Sequence, residues 1–275
     1  MSSLIWVLES SVFPASHQGL RTAIQQNGEK ILDWQDDWVT NDGLPALSGS
    51  PAVFHGSLGN AAMIASRNLW CPGAFCAVPK FCCSAWYTDA RSWLLHRKWH
   101  ILPADEFVQR ADAVFDSIGA ADRAFVRPDS PLKPFSGRVV SRDRATLAAL
   151  DHGFYYEDTT IPVVVAPICE IGHEWRFIIV RRTVVAGSAY DPQTRRAVNE
   201  LASSGAWEFA AHVAVELPPP EDIYVMDLCE SAGELRLLEL NPFSGADLYA
   251  SSAPEIVAAV STVAHEVWKS RQSAG

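Results

Sequence analysis

Two acidic residues and an asparagine near the end of the sequence have the types and spacing of a divalent-cation site. Asp227, Glu239 and Asn241 lie within two apolar segments. Carboxylate and amide oxygens are the ligands that a hard cation such as Mg²⁺ prefers. Burying two anions together without a cation would be costly. The alternative is that both acids simply face solvent.

These three side chains can meet only if the two segments pair in one register. Segments 223–228 and 235–240 are predicted to form a β-hairpin with a three-residue loop, 231–233, that ends in glycine. This loop sets Asp227 opposite Leu237 and places Asp227, Glu239 and Asn241 on one face of the sheet. A shift of one residue would put the two acids on opposite faces.

Two cations in the middle of the chain are candidates for phosphate contacts. Arg127 closes an apolar strand, and Lys133 lies in the Pro-, Ser- and Gly-rich loop 128–137 that follows. Backbone N–H groups around Ser136-Gly137 could join them in cradling phosphate oxygens. The alternative is a pair of ordinary surface cations, which are common beside such loops.

Glu174 and Arg176 are two positions apart in the predicted strand 174–180. Residues i and i+2 of a strand point to the same face. Because the rest of the strand is apolar, a charge there needs a partner. The pair is therefore either a structural ion pair or part of a functional site.

The elements that must position these residues follow from the hydrophobic pattern. Strand and helix alternate in the first hundred residues, which predicts a small α/β domain, and antiparallel strands dominate afterwards. We therefore expect a domain boundary near residue 100. The predicted strands are 3–8, 51–54, 124–127, 161–168, 174–180, 223–228 and 235–240, and the predicted helices are 17–27, 60–68, 85–99, 106–118 and 253–269.

Taken in this order, these features resemble the ATP-grasp superfamily, most closely its poorly characterised bacterial and phage clades. The matching segments are FVRPDSPLKPFSG (125–137), VVVAPICEIGHEWRFIIV (163–180) and YVMDL…LLELNPFSG (224–245). The most specific of them is E-x-N-P after a strand that carries Asp. The resemblance implies an N-terminal α/β domain over residues 1–100 and an ATP-grasp domain over 101–275, with α+β subdomains at about 101–165 and 166–275.

The resemblance also implies an activity and a role for each residue. ATP would lie between the two subdomains, and a carboxylate would be joined to an amine or similar nucleophile through an acyl-phosphate, with release of ADP. The substrate could be a peptide or an amino acid. The implied ligands are Asp227, Glu239 and Asn241 for Mg²⁺; Arg127 and Lys133 for phosphate; the main chain near Ala166 and Ile168 for adenine; Glu170 for ribose; and Arg176 for the γ-phosphate, with Arg176 and Lys133 catalytic.

Two departures from the usual family pattern leave an alternative open. Arg127 stands where most ATP-grasp enzymes carry Lys, and Arg binds as a planar fork rather than a point charge. The covering loop holds Pro131 and Pro134, which restrict its movement. The alternative is a nucleotide-binding regulatory module without ligase turnover.

Composition narrows the partners and the compartment. The 275 residues carry a net charge of −10, which argues against non-specific nucleic-acid binding. The sequence has no apolar run of the roughly 20 residues that a spanning helix needs, and its start lacks a basic segment like that of a signal peptide. With six cysteines and no signal peptide, we expect a cytoplasmic protein with reduced thiols.

Two further clusters carry competing interpretations. Cys71, Cys76, Cys82 and Cys83 lie near His96 and His100, which are four apart on a predicted helix, so a zinc-stabilised interaction protein is a third hypothesis, although the cysteine spacing matches zinc sites only in part. The loop His55-Gly56-Ser57 precedes a helix, where it could bind an anion or simply supply an N-cap. Tyr249, just after the acidic strand, could face substrate.

Overall fold

The chain forms two compact units in a computed structural model that describes residues 3–40, 43–47, 49–150, 158–191, 196–197 and 204–274. Unit 1 comprises Met1–Ala77, His173–Leu228 and Glu239–Gly275, and unit 2 comprises Val78–Gly172 and Cys229–Leu238. Each unit is thus assembled from segments distant in sequence. The predicted division near residue 100 concerns domains and stays a prediction.

Thirteen strands lie in the described residues and form three sheets. They are β1 (Ile5–Leu8), β2 (Lys30–Asp33), β3 (Ala52–His55), β4 (Pro72–Gly73), β5 (His100–Pro103), β6 (Arg123–Pro128), β7 (Arg138–Ser141), β8 (Pro162–Pro167), β9 (Glu174–Val180), β10 (Thr183–Asp191), β11 (Arg196–Ala197), β12 (Ile223–Ser231) and β13 (Glu234–Pro242).

Ten α-helices accompany these strands in the part of the chain that the structure describes. They are α1 (Pro14–Gln26), α2 (Asp37–Thr40), α3 (Leu58–Arg67), α4 (Val78–Phe81), α5 (Cys83–Trp86), α6 (Ala104–Gln109), α7 (Ala111–Ile118), α8 (Leu147–Leu150), α9 (Ser204–Glu216) and α10 (Ala253–Ala274), with 3₁₀ turns at Arg142–Arg144 and Phe243–Gly245.

Unit 1 contains a parallel sheet and an antiparallel sheet that share one hydrophobic core. The parallel sheet has the order β2-β1-β3-β4, with Leu8 beside His55 at the carboxyl ends of β1 and β3. Its buried face packs with α1 and α10, whose side chains join the same core as residues of β9 and β12. Helix α10 therefore links the parallel sheet to the strands that carry the acidic residues.

The antiparallel sheets confirm the expected change in strand arrangement. One has the order β11-β10-β9-β12-β13, which puts β9 next to β12. In unit 2 the order is β5-β8-β6-β7, and neighbouring strands pair antiparallel. This sheet packs on α6 and α7 through a second core around Phe107 and Phe115. The fold class is thus an α/β unit with α+β elements, as predicted.

Three element predictions differ from the structure. The helix predicted over 85–99 is wrong: only Cys83–Trp86 is helical, and turns follow, so the tryptophans there pack without a helical stripe. The helix predicted over 106–118 is two helices, because Arg110 has φ −116 and breaks the run. The hairpin loop has two residues, Ala232 and Gly233, rather than three.

Two buried histidines meet at the carboxyl edge of the parallel sheet. Nε2 of His17 lies 2.8 Å from Nδ1 of His55, and both side chains are shielded from solvent. Burial lowers the pKa of His17 to about 4, and burial followed by the neighbouring His17 lowers the pKa of His55 well below its ordinary value. The folded chain therefore keeps this pair neutral.

The histidine pair makes stability fall in mild acid. Below pH 6.5, the ordinary histidine value, the unfolded chain binds protons that the folded chain rejects, so stability drops as pH falls from 6.5 towards 4, with His17 alone accounting for about 3 kcal/mol. Urea midpoints at pH 7.5 and 5.0 measure the loss. His17→Gln should shrink it, and the exposed His173→Gln should not; an unchanged loss in His17→Gln would contradict the assignment.

Gly56 is required by close packing rather than by its backbone angle. A Cβ built there would lie 2.4 Å from Cβ of Glu9 and 2.8 Å from Cζ of Phe54, whereas one on Gly59 meets nothing within 4 Å. We expect Gly56→Ala to lower the free energy of unfolding by about 1–3 kcal/mol. Gly59→Ala, in the first turn of α3, should leave it unchanged or raise it by up to about 1 kcal/mol. Equal denaturation midpoints for the two variants would refute this packing argument.

Candidate functional site

The three predicted cation ligands come together in unit 1. Nδ2 of Asn241 lies 2.9 Å from Oδ2 of Asp227 and 3.1 Å from Oε2 of Glu239, so one amide group touches both carboxylates. Asp227 and Asn241 are buried, and Glu239 is half-buried. The three side chains therefore converge, which their separation of 14 residues from Asp227 to Asn241 does not by itself require.

The route to this convergence differs from the predicted one. Ala232 and Gly233 both have positive φ, of 51° and 77°, as a two-residue type I′ turn demands. A regular ladder from that turn would set Asp227 opposite Leu238 and put it on the face away from Glu239. Because one amide binds both acids, the pairing must change by one residue between the turn and the acids. The three-residue loop was wrong, yet the three side chains lie together.

Arg176 brings a positive charge into direct contact with these acids. It reaches Asp227 from the adjacent strand β9, with Nε 2.8 Å from Oδ1 and Nη2 2.8 Å from Oδ2, in a bidentate pair. Both side chains are buried, with exposed fractions of 11% and 3%. Burial disfavours the charged guanidinium, but the attraction and hydrogen bonds of Asp227 outweigh it, so the pKa of Arg176 is raised.

Glu174 does not form the ion pair with Arg176 that was one of its two interpretations. Its Oε2 instead accepts a hydrogen bond from the hydroxyl of Tyr190 on β10, and both residues are buried. Burial raises the pKa of Glu174, and the Tyr190 hydrogen bond opposes that rise. Burial and the nearby acids raise the pKa of Tyr190 as well, so its proton stays on the hydroxyl.

The chemistry of the donors fits a hard cation. The NH₂ group of Asn241 lies where oxygens of two carboxylates converge. A divalent ion is the other kind of group that two such oxygens attract, and Asp, Glu and Asn all offer oxygen ligands. The cluster gathers two carboxylates around one guanidinium, an excess of acid that favours a bound cation.

The candidate nucleotide residues of unit 2 lie on two neighbouring strands. Phe125 pairs with Ala166 and Arg127 with Val164, so Arg127 and Ala166 share a face of the sheet. His96 stacks on Phe125, with ring centroids 5.5 Å apart. Burial and then Arg127 lower the pKa of His96 to about 4. His96 is thus a neutral ring near Arg127, a position that the sequence analysis did not predict.

The other candidates in unit 2 are accessible. Lys133 lies in the loop between β6 and β7, is exposed and has φ of 49°. Ile168 and Glu170 follow β8 directly, and both are exposed, Ile168 to 46%. An exposed main chain after a buried strand is compatible with an adenine contact, but these roles remain predictions.

The cysteine cluster does not form the zinc site that was one hypothesis. Among residues 3–40, 43–47, 49–150, 158–191, 196–197 and 204–274, no three His, Cys, Asp or Glu side chains are arranged to hold a metal ion. Cys71, Cys76 and Cys83 are buried thiols, and burial raises the pKa of Cys76 to about 12. His96 lies in a turn and His100 on β5, so the helix predicted to carry both is absent there.

The loop before α3 is an N-cap, and the protein supplies its own anion. Oγ of Ser57 accepts a hydrogen bond from the backbone N–H of Asn60, and Oε2 of Glu9 accepts one from the N–H of Ser57 at 2.7 Å. A carboxylate thus already occupies the positive end of the helix. Of the two interpretations of this loop, the structure supports the cap.

Tyr190 and the carbonyl of Asp247 are part of the site that the sequence analysis missed. The carbonyl oxygen of Asp247 accepts a hydrogen bond of 2.8 Å from Nη1 of Arg176. A backbone acceptor leaves no mark in residue type. Tyr190 could have been found only by aligning β10 with β9, which pairs it with Glu174.

Comparisons with known proteins agree on one family and one fold. Residues 67–261 match the model of an ATP-grasp domain, the third family of its clade. D-cycloserine synthetase DcsG superposes with a TM-score of 0.62 at 16% identity, over 96% of this chain and 100% of the other. D-alanine–D-alanine ligase from Bacillus anthracis, complexed with ATP, gives 0.61 at 13% identity over 98% and 100%. ATP-grasp ligase PsnB, complexed with a minimal precursor, gives 0.56 at 13% identity over 96% and 99%.

Two further findings complete the comparison. No curated protein matches the chain. Among the described residues, no helix has both the length and the apolar character needed to cross a membrane.

Removing Arg176 should destabilise the fold strongly. Arg176→Met leaves Asp227 buried without its counter-charge, at an expected cost of about 3–5 kcal/mol in the free energy of unfolding. Arg181→Met is a matched control, because Arg181 is 45% exposed and pairs with Asp222 and Glu266 at the surface, where a loss below about 1 kcal/mol is expected. Chemical denaturation of both variants checks this, and similar losses would show that the buried pair contributes little.

Proposed function

The chain belongs to this ATP-grasp family, since the family model covers residues 67–261, and from this we propose that it is an ATP- and Mg²⁺-dependent ligase. It would join a carboxylate to an amine or a similar nucleophile and release ADP and phosphate. The observation that supports this best is the buried cluster of Arg176, Asp227, Glu239 and Asn241.

The cluster provides what phosphoryl transfer requires, which is charge stabilisation more than covalent chemistry. We assign Asp227, Glu239 and Asn241 as the residues that would hold Mg²⁺. The ion would supply Lewis-acid stabilisation of the charge on the phosphate oxygens. Arg176, fixed by Asp227, would direct its remaining N–H groups at the γ-phosphate.

The reaction then balances in two steps. A substrate carboxylate oxygen attacks the γ-phosphorus, the bond to the β-phosphate oxygen breaks, and ADP leaves. The nucleophile's nitrogen attacks the acyl carbon, inorganic phosphate leaves with the acyl oxygen, and the nitrogen loses a proton. Arg176 is well suited to the first step, because its raised pKa keeps it charged at every physiological pH.

The roles in unit 2 complete the proposal. Arg127 and Lys133 would contact phosphate oxygens, with Lys133 also catalytic. The main chain at Ala166 and Ile168 would contact adenine, and because proline at position 167 has no N–H, Ile168 would be the donor. Glu170 would contact ribose. In support of these roles, Arg127 and Ala166 share one face of the sheet, and Ile168 and Glu170 are exposed.

The substrate class rests on the solved structures alone. A D-cycloserine synthetase, a D-alanine–D-alanine ligase and a ligase bound to a peptide precursor share this fold. We propose a small molecule or peptide that carries a carboxylate, together with an amine-type acceptor.

A thermal-shift comparison tests the nucleotide and metal together. Mg·ATP should raise the melting temperature of the wild type, because a ligand that binds only the folded state stabilises it by mass action, and EDTA should abolish the shift. Glu239→Gln, which changes a half-buried side chain, should lose most of the shift while its own melting temperature without ligand stays close to wild type. An undiminished shift in Glu239→Gln would remove Glu239 from the metal site.

Turnover separates a ligase from a regulatory module. A panel of amino acids and peptides with hydroxylamine as the acceptor should yield ADP and a hydroxamate with at least one carboxylate, and Asp227→Asn should abolish both products. Specific binding of Mg·ATP with no ADP from any carboxylate would favour the regulatory alternative.

A further inference from the structure

The guanidinium of Arg176 is held in its plane by three hydrogen bonds. Nε and Nη2 donate to Asp227, and Nη1 donates to the carbonyl of Asp247. A guanidinium has five N–H groups, so two remain beyond these three bonds, one on each terminal nitrogen. These bonds constrain the edge of the group but not its faces.

One face is covered by the ring of Tyr249. Cζ of Arg176 lies 4.9 Å from the centroid of the Tyr249 ring and 5.7 Å from that of Tyr190. A cation over an aromatic face is attracted by the ring quadrupole, and the attraction grows when both groups are removed from water. The ring therefore opposes tilting of the guanidinium, a motion that the in-plane bonds resist poorly.

The backbone of Tyr249 is held in a conformation that aims this ring. Tyr249 has φ of 49°, which is uncommon for an aromatic residue. Its N–H donates to Oδ1 of Asp247 at 3.0 Å, a local turn that stabilises the left-handed backbone. Asp247 thus binds Arg176 through its carbonyl and positions Tyr249 through its side chain.

A second ring holds the first one. Tyr190 stacks on Tyr249 with centroids 4.8 Å apart and an interplanar angle of 16°. Tyr190 is itself fixed by its hydrogen bond to the buried Glu174. The chain of contacts runs from Glu174 through both rings to Arg176.

We propose that Tyr249 is a positioning residue, backed by Tyr190, that fixes the plane of the Arg176 guanidinium so that its two remaining N–H groups meet the γ-phosphoryl group. This inference rests on the proposed function, because it takes the γ-phosphate as the partner of Arg176. Tyr249 acts through Arg176, and neither tyrosine is required to touch the nucleotide.

The test compares two nucleotides that differ in the γ-phosphoryl group. Affinities for Mg·AMPPNP and Mg·ADP are measured by calorimetry for the wild type, Tyr249→Leu and Tyr249→Phe. Leucine removes the ring, and phenylalanine keeps it. Both keep a Cβ at the left-handed position, so the backbone strain is matched. Melting temperatures verify that each variant folds.

The expected result is selective. Tyr249→Leu should bind Mg·AMPPNP about tenfold more weakly and Mg·ADP within about twofold of wild type, because only the γ-phosphoryl group reports on Arg176. Tyr249→Phe should retain wild-type affinity for both. Equal losses for the two nucleotides, or no loss in Tyr249→Leu, would overturn the proposal. Wild type that fails to bind Mg·AMPPNP would instead overturn the proposed function, and this inference with it.

A second comparison tests whether Tyr249 acts through the guanidinium. Arg176→Lys keeps the buried charge but lacks the planar fork. In that background, Tyr249→Leu should weaken Mg·AMPPNP binding by less than about twofold. A full further loss of about tenfold would mean that Tyr249 acts independently of Arg176, and the positioning role would be wrong.

Discussion

The site depends on one buried ion pair, Arg176 with Asp227. Each charge would be costly alone in this interior, and the bidentate geometry compensates both. The pair joins β9 to β12, and Asn241 then joins β12 to Glu239 on β13. Three neighbouring strands are thus tied by one polar network. Because this network holds two carboxylates for one guanidinium, it concentrates negative charge where we propose that a metal ion binds.

The scaffold explains why the network can be both buried and precise. The apolar faces of β9 and β12 belong to the same core as the parallel sheet and α10. Side chains that share a close-packed core have little freedom to shift. The polar cluster therefore rests on strands whose other faces are fixed, which is the condition for pre-organised electrostatic stabilisation.

The sequence predicted the strands that carry chemistry better than the segments between them. Alternation and apolar runs identified β9, β12 and β13. The helix over 85–99 failed because tryptophan spacing there reflects packing in turns, not a helical face. The hairpin shows a deeper limit. Its turn is one residue shorter than predicted, and only the tertiary contacts of Asn241 show that the acids still meet. Contacts such as Arg176 with the Asp247 carbonyl depend on backbone position, which residue types do not encode.

Strand β5 begins the sheet β5-β8-β6-β7 and ends in Pro103. The N–H of the next residue, Ala104, bonds inward to Ile161, so position 103 is one whose backbone points away from β8. Proline offers no N–H there, and the outer border of the sheet lacks a donor at that point. A foreign strand that tried to extend the sheet would find an interrupted template. The same residue that immediately precedes α6 thereby protects the protein from self-association in fibrous aggregates.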